Sequence, residues 1–64
     1  MTFSIFDNGN LVISFDQVGE AELALGRLAA ADASAAESLV LFAFDATGEA
    51  VAHCVPGERL LIVA

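Results

Sequence analysis

The chain has 64 residues, with nine carboxylates against two arginines, no lysine and a formal net charge of −7. A chain this short has one small core, so we expect a single domain over residues 1–64. One cysteine and one histidine exclude an internal disulfide and an ordinary zinc site, and the scarcity of basic residues argues against direct nucleic-acid binding.

The first predicted element is a β-hairpin over residues 2–15. A three-residue loop would place Asp7 and Asn8 in the turn and Gly9 at the positive-φ position. A two-residue loop of Asn8 and Gly9 would mix polar and apolar side chains on each face of the hairpin. The alternation of polar and apolar residues therefore favours the three-residue loop.

This loop fixes the predicted register of the first hairpin. Ile5 pairs with Leu11 and Phe3 with Ile13 on the apolar face. The reverse face then carries the polar residues Thr2, Ser4, Asn10 and Ser14. The apolar face is expected to meet a helix.

A helix is predicted after the first hairpin, with Asp16 as its N-cap and Glu20 and Glu22 near the positive end of its dipole. At 100° per residue, one apolar stripe should pack on the sheet. The residues of that stripe are Val18, Ala21, Leu25, Leu28 and Ala29. The segment 32–38 that follows reads equally well as a ragged last turn, a second short helical turn or a loop.

A second hairpin is predicted over residues 39–55, with Ala46 and Thr47 in its turn and Gly48 at the positive-φ position. The predicted pairs on one face are Phe44 with Ala50, Phe42 with Ala52, and Val40 with Cys54. The other face is nearly as apolar, and a pair of strands that is apolar on both sides is usually covered on both sides. We therefore expect a candidate apolar interface there, formed by Leu41, Val51 and Val55.

A type II turn at Pro56-Gly57 should lead to a last strand over residues 60–63. The predicted fold is α+β with the order ββαβββ, an antiparallel sheet of about five strands with one helix packed on one face. The strand order stays open, although placing the first strand beside the third would keep every pairing antiparallel.

Connectivity predicts where the carboxylates fall. The second strand descends to residue 16, a helix of about 15 residues climbs back, and the third strand descends to residue 45. Five carboxylates should thus gather at one end of the sheet, which we call the acidic pole. Its residues are Asp16, Glu20, Glu22, Asp45 and Glu49. We expect them to bind a partner, because a local negative potential steers basic proteins.

No arrangement of residues predicts catalysis. His53 and Cys54 are neighbours on a strand, so their side chains point to opposite faces and do not form a dyad. The serines have no base at a suitable spacing, and neither a glycine-rich phosphate loop nor a calcium-loop pattern occurs. We expect no enzyme activity, no cofactor and no metal.

The high apolar content, 58% of residues with a mean hydropathy of +0.76, indicates that part of the apolar surface is covered by another molecule. Homodimerisation and a foreign partner are both open. No run reaches the ~20 apolar residues that span a bilayer, and the start lacks a signal-peptide pattern, so we expect a cytoplasmic protein without membrane contact.

In size, acidity and lack of catalytic groups the chain resembles small phage-encoded inhibitors, among them anti-CRISPR proteins and other DNA mimics. The resemblance is one of size and charge and assigns no binding residue. It implies an inhibitor that occupies a basic, nucleic-acid-binding surface of a larger protein in a bacterial host. The alternative is a structural or oligomerising accessory subunit, or an immunity-type partner, that uses the apolar sheet face.

Overall fold

The computed structural model describes residues 1–62 and places one α-helix against one face of an antiparallel sheet of four strands. The predicted α+β class is confirmed. The elements are β1 (Thr2–Asp7), β2 (Asn10–Phe15), α1 (Val18–Ala31), a short 3-10 helix (Ala36–Ser38), β3 (Leu39–Phe44) and β4 (Ala50–Cys54). The strand order is β2-β1-β3-β4, so β1 does lie beside β3 and every pair is antiparallel.

The predicted fifth strand is wrong for residues 60–62, which join no strand within the described part of the chain; Val63 lies outside it. Leu60 instead enters the core, where its side chain is 7% exposed. Its backbone amide donates to Glu22 Oε2 at 2.8 Å. The Glu22 carboxylate thus takes the place of a strand partner for the part-buried Leu60 amide, and the described order is ββαββ.

The turn that leads into this segment is the predicted one. The Glu58 amide donates to the Val55 carbonyl at 3.1 Å, and Gly57 has a φ of +92°. Pro56 before that glycine completes a type II turn, in which only the third position needs a positive φ.

The first hairpin differs from the prediction in its loop. Asp7 pairs directly with Asn10, and the two residues between them, Asn8 and Gly9, have φ values of +52° and +84°. Two consecutive positive φ angles define a type I′ turn, whose twist matches that of the strands, and Asn-Gly is its preferred sequence. The three-residue loop was therefore the wrong choice.

The extra residue sits in the strand instead of the loop. The register shifts between Ile5 and Phe6, so that Val12 is the additional residue of a β-bulge. Beyond it Ile5 pairs with Ile13, and the predicted pairing of Ile5 with Leu11 is wrong. Because of this extra residue, the polar and apolar side chains of β2 on the far side of the bulge still lie on the predicted faces of the hairpin.

The serine pair shows that these faces are as predicted. Ser4 lies opposite Ser14, and their hydroxyl oxygens are 2.8 Å apart. Phe3 lies opposite Phe15 on the side that meets the helix. The first hairpin thus separates its polar and apolar faces despite the different loop.

The second hairpin has the predicted loop but a different register. Its closing bond runs from the Asp45 amide to the Glu49 carbonyl at 2.9 Å, and Gly48 has a φ of +83°. A second register shift follows, between Ala43 and Phe44, and leaves Val51 as the extra residue.

This bulge exchanges the faces of β4 relative to β3. Phe42 pairs with His53 and Leu41 with Cys54, so the predicted pairs of Phe42 with Ala52 and of Val40 with Cys54 are wrong. Leu41 and Cys54 consequently share the face that meets α1.

The core lies between α1 and that face. Its buried hydrophobic residues are Phe3, Ile5, Ala21, Leu25, Leu39, Leu41, Ala43, Cys54 and Leu60. The predicted helix stripe is confirmed, since Ala21 and Leu25 are buried and Val18, Leu28 and Ala29 pack against the core. Every strand except β2 contributes a fully or nearly fully buried residue.

The predicted N-cap is wrong. The helix begins at Val18, and its N-cap is Gln17, which makes no side-chain capping bond. Asp16 lies one residue too early for its carboxylate to take that position, because β2 runs on to Phe15 and a bend follows.

The undecided segment 32–38 is a turn followed by the short 3-10 helix. Asp32 Oδ1 accepts bonds from the Ser34 amide at 3.1 Å, the Ser34 hydroxyl at 2.7 Å and the Ala35 amide at 3.3 Å. The Ser38 carbonyl then accepts the Asn8 amide at 3.0 Å. These bonds tie the segment to the first hairpin.

We expect Leu41→Ala to lower the free energy of unfolding by about 2–5 kcal/mol, because it opens a cavity beneath α1. Leu61→Ala is the matched control: Leu61 is 79% exposed, and its truncation should change stability by less than about 0.5 kcal/mol. Urea unfolding of both variants measures this. Equal effects would show that the burial is assigned to the wrong residue.

Candidate binding surfaces

The topology brings four of the five acidic-pole carboxylates to the same end of the molecule. Strands β2 and β3 both end there, β4 begins there, and α1 starts after β2. Asp16 and Asp45 follow β2 and β3, the two strands that flank β1. These two strands are about 10 Å apart across the sheet. Glu49 closes the hairpin opposite Asp45, and Glu20 lies in the first turn of α1.

Two of the five carboxylates are engaged within the chain. Glu22 is half-buried, and its Oε2 accepts the Leu60 amide within the fold. Asp45 Oδ1 accepts the Thr47 amide at 2.9 Å, the Thr47 hydroxyl at 2.6 Å and the Glu49 amide at 3.1 Å. Asp16, Glu20 and Glu49 are exposed.

The bonds to Asp45 have an electrostatic consequence. The Thr47 hydroxyl, followed by the Glu49 amide, lowers the pKa of the Asp45 carboxyl below its ordinary value. The pattern Asp-x-Thr is the sequence signal of such a turn, in which the carboxylate binds the backbone two residues on. This signal was present in the sequence and indicates a structural role for Asp45.

The reverse face of the sheet, which α1 does not cover, carries an apolar surface. We call it the Phe face and define it by Phe6, Val40, Phe42 and Phe44, which are all half-buried. They line a depression of about 450 Å³ together with Gly9, Ser38 and Ala50. Large apolar side chains that meet in one shallow depression are typical of a protein-binding surface.

The rings of the Phe face hold one another in place. Phe6 is edge-on to Phe42, with centroids 5.6 Å apart and planes at 84°, and lies 6.2 Å from Phe44. The Phe42 and Phe44 centroids are 6.0 Å apart, and the His53 ring is 5.8 Å from Phe42. These separations fall in the range of favourable aromatic pairs, so the rings stabilise one another.

The predicted apolar interface needs correction in its residues. Leu41 has no exposed surface and lies in the core, because it pairs with the buried Ile5 of β1 on the face that meets α1. The bulge at Val51 brings Cys54 to the same face. Val51 and Val55 are 45% and 42% exposed, so they remain available for contact. Nothing in the sequence favoured placing Phe42 and Phe44 in the interface, because both faces of β3 are apolar.

Acidic residues flank the Phe face in the chain. Asp7 follows Phe6, Glu37 precedes Ser38, Asp45 follows Phe44 and Glu49 precedes Ala50. The two arginines of the chain lie elsewhere: Arg27 is on α1, and Arg59 adjoins the buried Leu60.

A second apolar depression, of about 630 Å³, lies between β2 and α1. We call it the α1–β2 groove. Its apolar lining residues are Val12, Ile13, Phe15, Leu23, Ala24 and Leu28. Two charged side chains, Glu20 and Arg27, also line it.

The pair His53 and Cys54 is divided between the two faces, as predicted. His53 stacks beside Phe42, whereas Cys54 is 2% exposed in the core. Burial raises the pKa of the Cys54 thiol, and the charges of Glu22 and Glu58 raise it further. The thiolate, which is the nucleophilic form, is therefore disfavoured.

Residues 1–62 contain no cluster of three or more side chains able to ligate a metal ion. Within the same range, α1 is too short and insufficiently apolar to cross a bilayer. No known protein family, curated protein or solved structure matches the chain.

The turn carboxylates predict a dependence of stability on acid. The folded-state pKa values of Asp45 and Asp32 are lowered, the latter by the Ser34 hydroxyl and then by backbone amides. Their contribution is therefore present above the unfolded-state pKa, about 3.9, and is lost as pH falls through the lower folded-state values.

We expect Asp45→Asn to reduce the drop in thermal midpoint between about pH 5 and about pH 2. Asp16→Asn removes an exposed carboxylate from the same end of the sheet and is the control for the change in net charge; the drop should be smaller in Asp45→Asn than in Asp16→Asn. Calorimetry at several pH values measures both. An identical drop in the two variants would contradict the role of the Asp45 turn.

Proposed function

We propose that the chain is a small, non-enzymatic binding protein that docks its Phe face on an apolar patch of a larger protein, with basic residues around that patch. The single observation that supports this most is the uncovered cluster of Phe6, Phe42 and Phe44 on the face opposite α1. Its action is to occupy the partner's surface and block access to it.

The energetics favour the phenylalanines as the centre of the contact. Full burial of an exposed phenylalanine contributes about 1.5–3 kcal/mol, and each of these half-buried rings would gain a part of that. Aromatic residues near the middle of an interface carry much of its binding free energy, while the polar rim chiefly excludes water. The rings already contact one another, so binding orders few side chains and loses little entropy.

Charge determines the kind of partner. The net charge is −7, and the residues that flank the Phe face in the chain are carboxylates. A basic rim on the partner would meet those at the strand ends, and the exposed acids at Asp16 and Glu49 would add long-range steering. Nucleic-acid-binding proteins present such surfaces, so the proposal includes inhibition of the anti-CRISPR or DNA-mimic kind, in the cytoplasm of a bacterial host.

The alternative is an oligomerising accessory subunit that uses the same face. Two copies meeting through their Phe faces would bring two sets of flanking carboxylates together, with a charge of −7 on each copy. Like charges placed opposite one another weaken association. This favours a foreign, basic partner for the Phe face.

We expect Phe42→Ser to abolish capture of the partner from a lysate of the native host, because it removes the ring at the centre of the cluster. Leu61→Ser removes an equally apolar but 79% exposed side chain outside the Phe face and should retain capture. Circular dichroism verifies that both variants fold. Capture that survives Phe42→Ser would refute the proposed surface.

A second experiment measures how much the carboxylates contribute to binding of the identified partner. Glu49→Lys should weaken binding and flatten its salt dependence between about 50 and about 500 mM salt, because exposed charges are screened over this range. Glu49→Gln, which removes charge without reversing it, should lie between this variant and the parent chain. Affinity that is independent of salt in all three would argue against a basic rim.

A further inference from the structure

The α1–β2 groove differs from the Phe face in its charge pattern and its position. It lies on the side of the sheet that carries α1, along the edge strand β2. Leu23 on its helical wall is 56% exposed, and Val12 and Ile13 on its strand wall are 47% and 43% exposed. Exposed apolar side chains on both walls indicate a contact surface.

The two charged residues of the groove are placed symmetrically about Leu23 and Ala24. Glu20 and Arg27 are seven residues apart, which places them on the same side of α1 and about 10.5 Å apart along its axis. They have opposite signs, and the midpoint between them falls between Leu23 and Ala24. A surface of this kind is complementary to a copy of itself turned by 180°.

We propose that two copies of the chain form a homodimer through their α1–β2 grooves, about a two-fold axis that crosses α1 between Leu23 and Ala24. The two helices run antiparallel, and each Leu23 packs into the groove of the other copy. Glu20 then faces the partner's Arg27, and Arg27 faces the partner's Glu20. Each contact occurs twice, as two-fold symmetry requires.

The bulge in β2 explains why the proposed dimer forms through side chains of the groove and not through pairing of the two β2 strands. β2 is an edge strand, and an edge strand offers unpaired backbone groups to a second chain. A bulge at Val12 bends the strand and disrupts a regular ladder along that edge. Packing of side chains in the groove does not need such a ladder.

This dimer goes beyond the proposed function and does not depend on it. The Phe face lies on the opposite side of the sheet, so it stays free in both copies. Self-association also compensates for the small core, a need shared by domains of this length.

Sedimentation equilibrium between about 1 and about 100 µM tests the dimer directly. The parent chain should fit a monomer–dimer equilibrium, Leu23→Glu should be monomeric throughout, and Leu61→Glu should behave as the parent does. A parent chain that is monomeric at the highest concentration, or one that grows into larger species, would overturn the proposal.

Charge exchange identifies the symmetry. Glu20→Arg and Arg27→Glu each place like charges across the two-fold axis and should each raise the dissociation constant about tenfold or more. The double variant restores opposite charges and should return to within about threefold of the parent, with the net charge unchanged. If the double variant is as weak as the single ones, the two-fold arrangement is wrong. Neither experiment involves the Phe face, so failure here is separate from failure of the proposed function.

Discussion

The packing of Ala21 and Leu25 of α1 against Ile5 and Leu41 of the sheet determines which surfaces the molecule leaves free. An α-helix with its side chains is about 10–12 Å wide, whereas neighbouring strands are spaced by about 4.8 Å. One helix therefore covers the middle of one face. Leu60 covers more of that face, near Glu22 and Cys54. The α1–β2 groove and the whole Phe face are what this arrangement leaves uncovered.

Alternation of polar and apolar residues made most of the first hairpin predictable. Ser4 and Ser14 fall on one face and Ile5 and Ile13 on the other. The alternation shows which residues share a face of the hairpin. It does not show whether an extra residue lies in the loop or in a strand. The prediction placed the extra residue in the loop. In the structure the loop is the two-residue Asn8-Gly9 turn, and the extra residue is Val12, in a β-bulge.

The same reasoning failed in the second hairpin because β3 is apolar on both faces. With no polar face as a guide, the pairing was extended from the turn at Gly48 without interruption. The bulge at Val51 moved Cys54 from Val40 to Leu41. The faces of β3 are set by its pairing with β1, where Leu41 lies opposite the buried Ile5. The predicted apolar interface therefore included Leu41 from the covered face, whereas Phe42 and Phe44 lie on the uncovered one.

The position of the acidic pole could be predicted from the sequence, but which of its carboxylates form hydrogen bonds within the chain could not. Connectivity placed Asp16, Asp45 and Glu49 at one end of the sheet, and the structure does so. The bond from the Leu60 amide to Glu22 joins residues 38 apart, and no local pattern marks it. Long-range bonds of this kind decide which carboxylates remain free, and they depend on the tertiary fold.

The central claim, that the sheet is covered on one face and bare on the other, can be measured on the phenylalanine rings. NMR relaxation enhancement by a soluble paramagnetic agent reports how closely solvent approaches each ring. The fold predicts strong enhancement for Phe6, Phe42 and Phe44 and weak enhancement for the buried Phe3. Equal protection of Phe42 and Phe3 in the isolated protein would contradict it.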